Sequence, residues 1–210
     1  MEITWLGHSA VKLDSRDLVL ITDPFPASVG YNMTPHHADI ITISNTHPHH
    51  SHTSVVDGSP KVLRGPGEYE VRHFYISGIA TVNPSEDSTQ TVNTVFSIHA
   101  EGLTICHLGD LNQKLTPSHV DSLGQPDVLI APAGGTCTLG AEDIAEITGL
   151  LRPRLLIPVH YKSDDSTVPL NSLAAFLRTF GATDVPTQNR LNVTQTNLPA
   201  ETKTILLTRQ

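Results

Sequence analysis

The chain is poor in cysteine, aromatic residues and positive charge. Its two cysteines, Cys106 and Cys137, form no C-x-x-C pair, which leaves no disulfide framework and suits two free thiols in a reducing, cytoplasmic setting. Lys and Arg total 13 against 21 Asp and Glu, a net charge of −8. A surface of that sign excludes broad affinity for nucleic acid or anionic membrane. No apolar run approaches the ~20 residues a membrane span needs. The start, Met1-Glu2-Ile3-Thr4-Trp5, lacks the basic and long apolar parts of a signal peptide. Aromatic residues make up only 5%, so a core must be built from aliphatic side chains, and 210 residues suffice for one sizeable core. No short repeat, low-complexity tract or linker divides the chain, and residues 1–210 read as a single domain.

Histidine is abundant, with 12 in all. Four lie in His47-Pro48-His49-His50-Ser51-His52, directly after the apolar run Asp39–Ser44. Neutral imidazole is the commonest protein ligand for zinc and its neighbours. In extended backbone, side chains two apart point the same way, so His47 and His49 can meet one ion. His52 falls on the next bend, within reach of a second ion or the far side of the first.

Alternation of apolar residues predicts strands over 2–6, 11–13, 18–22, 39–44, 61–63, 73–82, 91–98, 103–108, 127–131 and 155–159. Residues 193–195 and 204–207 are edge-strand candidates. Residues 30–37 and 83–90 read as loops, 64–68 as a turn and Gly134-Gly135 as a diglycine turn. Helices are expected from Thr116-Pro117, over 140–151 and over 169–180. Strands first, then strand–helix alternation, argue for an α/β sandwich.

Three polar clusters each follow an apolar strand: His47–His52, His107-Leu108-Gly109-Asp110 and His160. Imidazoles with one carboxylate suit zinc, and also iron(II), manganese or nickel. Together, Gly7-His8-Ser9, Thr22-Asp23-Pro24, Thr46-His47-x-His49-x-x-His52, Gly109-Asp110 and Pro158-Val159-His160-Tyr161 resemble the metallo-β-lactamase superfamily, over residues 1 to about 180. Within it the chain is most similar to small bacterial hydrolases related to the L-ascorbate-6-phosphate lactonase. The N-acyl-phosphatidylethanolamine phospholipase D is a more distant relative.

The resemblance implies a four-layer αββα sandwich with a metal site at one sheet edge. Carried over by position, His47 and His49 bind the first ion, His52 and His160 the second, and Asp110 bridges. His8 lies beside the site. The family motif reads His-x-His-x-Asp-His, and here Ser51 replaces the aspartate with one neutral oxygen. A third histidine on the first ion aligns with Asn83. Glu68, His8, His50 and His107 are the neighbours that can compensate. With a carboxylate missing, one zinc ion is expected rather than two, with Mn2+, Fe2+ and Ni2+ as alternatives.

The expected activity is metal-dependent hydrolysis of an ester, lactone or phosphodiester by a metal-bound hydroxide. Asp110 orients the nucleophile, and His160 with Tyr161 stabilises the oxyanion. The alternative is a metal-binding relative whose hydrolase site has decayed. The expected partner is a small-molecule substrate, with a homo-oligomer left open. His107 reads as a core or ligand-supporting residue and His50 as facing solvent. His36, His37, His73, His99 and His119 read as ordinary surface residues, and Cys106 and Cys137 as core or wall.

Overall fold

In the computed structural model, residues 1–83 and 91–210 are described, the side chains of Asn83 and Thr91 excepted. The predicted loop 83–90, and with it the candidate Asn83 side chain, lies outside the described residues.

Two large twisted sheets face each other. The first runs in the order Leu191–Asn192, Glu2–Gly7, Ala10–Ser15, Leu18–Thr22, Ile40–Ile43, Lys61–Arg64. The second runs Lys203–Thr204, Leu155–Val159, Val128–Pro132, Leu103–His107, Thr91–Ala100, Phe74–Asn83, Gly67–Val71. Period-2 alternation sorts each strand between two cores. Ile3, Trp5, Leu13 and Ile40 meet Ile76, Ile98, Ile105, Ile130 and Ile157 between the sheets. The outward residues Cys106, Leu129, Ala131 and Leu156 pack under the helices through Leu123, Ile144, Ile147, Leu151 and Phe176. Beyond the first sheet, Leu6, Ile21, Ile41 and Ile43 meet Phe25, Val29, Met33 and Val56 from the segment 24–56. The result is the expected two-sheet α/β sandwich.

Among the described residues the α-helices are Pro117–Leu123, Ala141–Leu151 and Leu173–Thr179. The first starts as expected, with Thr116 as cap and Pro117 in the first turn. His119 Nδ1 completes the capping box by accepting from Thr116 N–H, a role beyond an ordinary surface residue. The third is shorter than expected: Pro169 instead lies in the site wall and Ser172 forms a bridge to Lys162. The supposed loop 30–37 ends in a two-residue strand, His36–His37, paired with Val56–Asp57. The supposed turn 64–68 runs into the strand Gly67–Val71, paired with Phe74–Gly78.

Strand direction determines where the polar clusters go. Leu18–Thr22 is parallel to Ile40–Ile43 and, two antiparallel steps away, to Glu2–Gly7. Leu103–His107, Val128–Pro132 and Leu155–Val159 are mutually parallel. Their C-terminal ends deliver His8, Asp23, residues 44–50, Asp110, Thr136-Cys137 and His160 to one rim.

Candidate metal centre

Five histidines meet at that rim. The ring centroids of His8 lie 4.2 Å from His160, 5.1 Å from His50 and 5.8 Å from His49. His50 lies 5.3 Å from His160, and His47 lies 4.8 Å from His49. A cavity of about 300 Å³ is lined by these rings, by Asp110, and by a wall of Thr136, Cys137, Val168 and Pro169.

Backbone geometry builds the cluster. His8, Asp23 and His160 all sit in left-handed conformation, with φ of 47°, 39° and 52°. Non-glycine residues rarely adopt it, and it turns each chain sharply at its strand end. The carbonyl of His8 accepts from His160 N–H at 2.8 Å and from Trp5 Nε1–H at 3.0 Å. Tyr31 Oη accepts from His8 N–H at 2.8 Å. Asp110 is placed by Asn93, whose Oδ1 accepts from Asp110 N–H at 2.9 Å while its amide donates to Leu108 O and Thr81 Oγ1.

The histidine-rich segment is not extended. Pro48–His50 forms a 3₁₀ turn with His47 as its cap. Residues three apart share a face in such a turn, so His50 turns inward beside His47, while His47 and His49 both still line the cavity. His50 is only 2% exposed, contrary to its expected solvent position. Its Nδ1 lies 2.9 Å from Asp23 Oδ2, and its Nε2 faces Asp110 Oδ1 at 3.8 Å. Asp23 is fully buried and also accepts from Ser44 N–H (2.7 Å) and Ser44 Oγ–H (2.6 Å). Sequence reasoning missed Asp23 as a partner. The available signal was its place at the end of a strand parallel to the one that feeds the histidines.

The electrostatics divide the imidazoles. Burial, reinforced by the neighbouring histidines, pushes His8 and His160 far below the ordinary histidine value. Burial also lowers His49 and His107. For His50 burial opposes charge, but the Asp23 hydrogen bond and the charges of Asp23 and Asp110 outweigh it and raise the pKa. Burial raises the Asp110 carboxyl above its usual range.

The remaining expected residues divide as follows. His47, His49, Asp110, His160 and His8 line the cavity. His52 does not: its N–H donates to Pro24 O at 2.8 Å and its Nε2 lies 3.1 Å from Ser54 Oγ. Ser51 Oγ donates to His47 O at 3.0 Å, closing the turn. His107 is buried, with Nε2 3.1 Å from Ser9 O. Glu68 is exposed and accepts from Ser77 Oγ, away from the rim. Tyr161 packs on Trp5 and lines a separate groove with Ser163 and Arg209, so it is not placed at the oxyanion position expected for it.

The donor set fits a divalent cation. His8 Nε2, His160 Nδ1 and Asp110 Oδ1 are buried and have no hydrogen-bond partner among the described residues. Ligand atoms of His8, His50 and His160 lie within 4.8 Å of one another, as do those of Asp110, Cys137 and His160. Imidazole nitrogens and a carboxylate are ligands of zinc and the neighbouring first-row metals.

Residues 2–160 match the model of the β-lactamase superfamily domain. A solved Zn-dependent hydrolase of the metallo-β-lactamase superfamily from Thermotoga maritima is 33% identical. It covers 100% of this chain and 99% of its own, with a TM-score of 0.82. A UPF0173 metal-dependent hydrolase of Methanosarcina barkeri is 26% identical over 198 residues, 79% of this chain and 85% of its own length. A UPF0173 protein of Pyrococcus furiosus is 27% identical over 183 residues, 77% and 83% of the two chains. With fold, rim and family model in agreement, the chain belongs to the metallo-β-lactamase superfamily.

Proposed function

We propose that this chain, acting as one domain over residues 1–210, is a metal-dependent hydrolase of a small ester, lactone or phosphodiester. The observation that carries the reading is the convergence of five imidazoles and Asp110 on one cavity, with buried donor atoms unpaired among the described residues. The relatives described as metal-dependent hydrolases support it. When bound, a divalent ion supplies Lewis acidity and brings the pKa of water toward ~7.

The chain's own residues supply the rest. His8, His47, His49, His50 and His160 offer ring nitrogens to the cavity. Asp110, with its buried Oδ1 turned to the cavity, orients the attacking water. On this reading His160, buried and with its pKa held far below the ordinary value, stabilises the developing oxyanion. Val168 and Pro169 exclude water on one side, and the cavity, near the lower limit of ligand-site volumes, suits a small molecule. The net charge of −8 favours neither nucleic acid nor an anionic surface. No helix among the described residues is long and apolar enough to cross a membrane.

Zinc is the preferred ion, one per chain. Ser51, bonded back to its own turn, contributes no carboxylate to a second site. The same observation favours a second reading, a metal-binding relative that does not turn over substrate. Assays of zinc-, manganese- and nickel-loaded protein on generic esters, lactones and phosphodiesters separate the two. Turnover abolished by chelator and by His49→Ala supports the hydrolase. Stoichiometric metal without turnover across the panel supports the second reading.

A further inference from the structure

We infer that His8, His50 and His160 form the tight metal site of this chain, with Asp23 as the positioning residue that aims His50. This inference rests on the reading that the rim cavity holds a divalent cation, and it specifies which side chains hold it. It moves the site away from His52 and from the Ser51 position.

Three groups of observations carry it, the first being how closely the rings are buried together. Ligand atoms of these three histidines lie within 4.8 Å of one another. The rings are 2%, 2% and 1% exposed. Two of them, His8 and His160, present buried nitrogens with no partner among the described residues. Burying three imidazoles with ring centroids 4.2–5.3 Å apart, two of them with unpaired nitrogens, is unfavourable unless something electropositive joins them.

The second shows how His50 is aimed. Asp23 has no exposed surface, and two bonds from Ser44 fix its carboxylate. It takes the Nδ1–H of His50, which leaves Nε2 as the atom directed at the cavity. A carboxylate on the far nitrogen of a metal-bound histidine orients the ring and raises its basicity. A negative group behind His50 favours a cation in front of it.

The third concerns the residues left out. Ser51 Oγ is used in the turn, and the His52 ring nitrogen faces Ser54 outside the cavity. The 3₁₀ turn is the physical cause: it rotates residue 50 inward and residues 51 and 52 away. In effect His50 supplies from one position earlier the inward ligand that Ser51 lacks.

Wild-type protein provides the primary test. Histidine ring nitrogens are followed by ¹⁵N NMR as zinc is added to chelator-treated protein, with equilibrium dialysis of Co(II) in parallel. The expected result is a ligation shift for one nitrogen each of His8, His50 and His160, with His52 unmoved. In variants, His50→Gln keeps a donor for Asp23 but removes the imidazole. It should weaken Co(II) binding at least about 100-fold and change its visible absorption. Asp23→Asn should weaken binding about 10–100-fold, and His52→Ala should leave it unchanged. Ligation shifts at His52 with His50 unmoved, or a His50→Gln variant with wild-type affinity and absorption, overturn the assignment alone. Wild-type protein that takes up no metal overturns the underlying reading as well. Circular dichroism confirms that each variant is folded, and the wild-type NMR experiment decides the question even if one is not.

Discussion

Gly109 sits between Ser44 and Asn93 with no room for a methyl group. A Cβ built there meets Ser44 Cβ at 2.4 Å and Asn93 Oδ1 at 2.7 Å, and φ is 63°. Both neighbours belong to the site, since Ser44 holds Asp23 and Asn93 holds Asp110. Gly109→Ala should therefore cost about 1–3 kcal/mol in urea unfolding and also weaken metal retention. A second prediction concerns pH in metal-free protein. The folded state holds His8 neutral because its pKa is depressed, while the unfolded chain protonates near 6.5. The unfolded state thus binds the extra proton below that value, and this contribution removes stability as pH falls from 7.5 to 5.5, by up to about 1.4 kcal/mol per unit. His50 has the opposite sign: its raised pKa adds stability at low pH that is lost as pH rises through the folded value. His8→Asn should lose less stability than the parent over that range, measured by urea melts at each pH. An equal loss would show that His8 is not held neutral.

At the scale of elements, rim and scaffold separate. The helix Ala141–Leu151 covers the outer face of the second sheet through Ile144, Ile147 and Leu151, away from the cavity. Ile144→Ala should cost about 2–5 kcal/mol of unfolding free energy and leave metal affinity unchanged. A change in affinity as large as that of a rim variant would contradict this separation. The same division explains what the sequence revealed. Strand cores such as Ile40–Ile43 and Leu155–Val159 were legible because apolar alternation reflects burial directly. The convergence of His47, Asp110 and His160 was legible because each follows such a strand. The face of the histidine-rich segment was not legible. Whether Pro48–His50 runs extended or winds into a 3₁₀ turn depends on long-range partners, namely Asp23 beneath His50 and Pro24 O on His52 N–H. Periodicity within six residues cannot report those. Tyr161 was misplaced for a related reason. The left-handed turn at His160 sends the next side chain onto Trp5 rather than into the cavity.

Across the whole molecule, parallel strands from both sheets end on one rim, so a metal bound there links the two halves of the sandwich. Binding to the folded state alone raises stability by about 2.7 kcal/mol at 100 times Kd. Zinc should therefore raise the melting temperature of chelator-treated protein, and His160→Ala should remove that increment. Metal content by elemental analysis, after chelator treatment, zinc reloading and exhaustive dialysis, tests the rim site most directly. The expected result is one tightly held ion per chain, absent from His160→Ala. Two ions per chain, none, or one retained undiminished in that variant would contradict it.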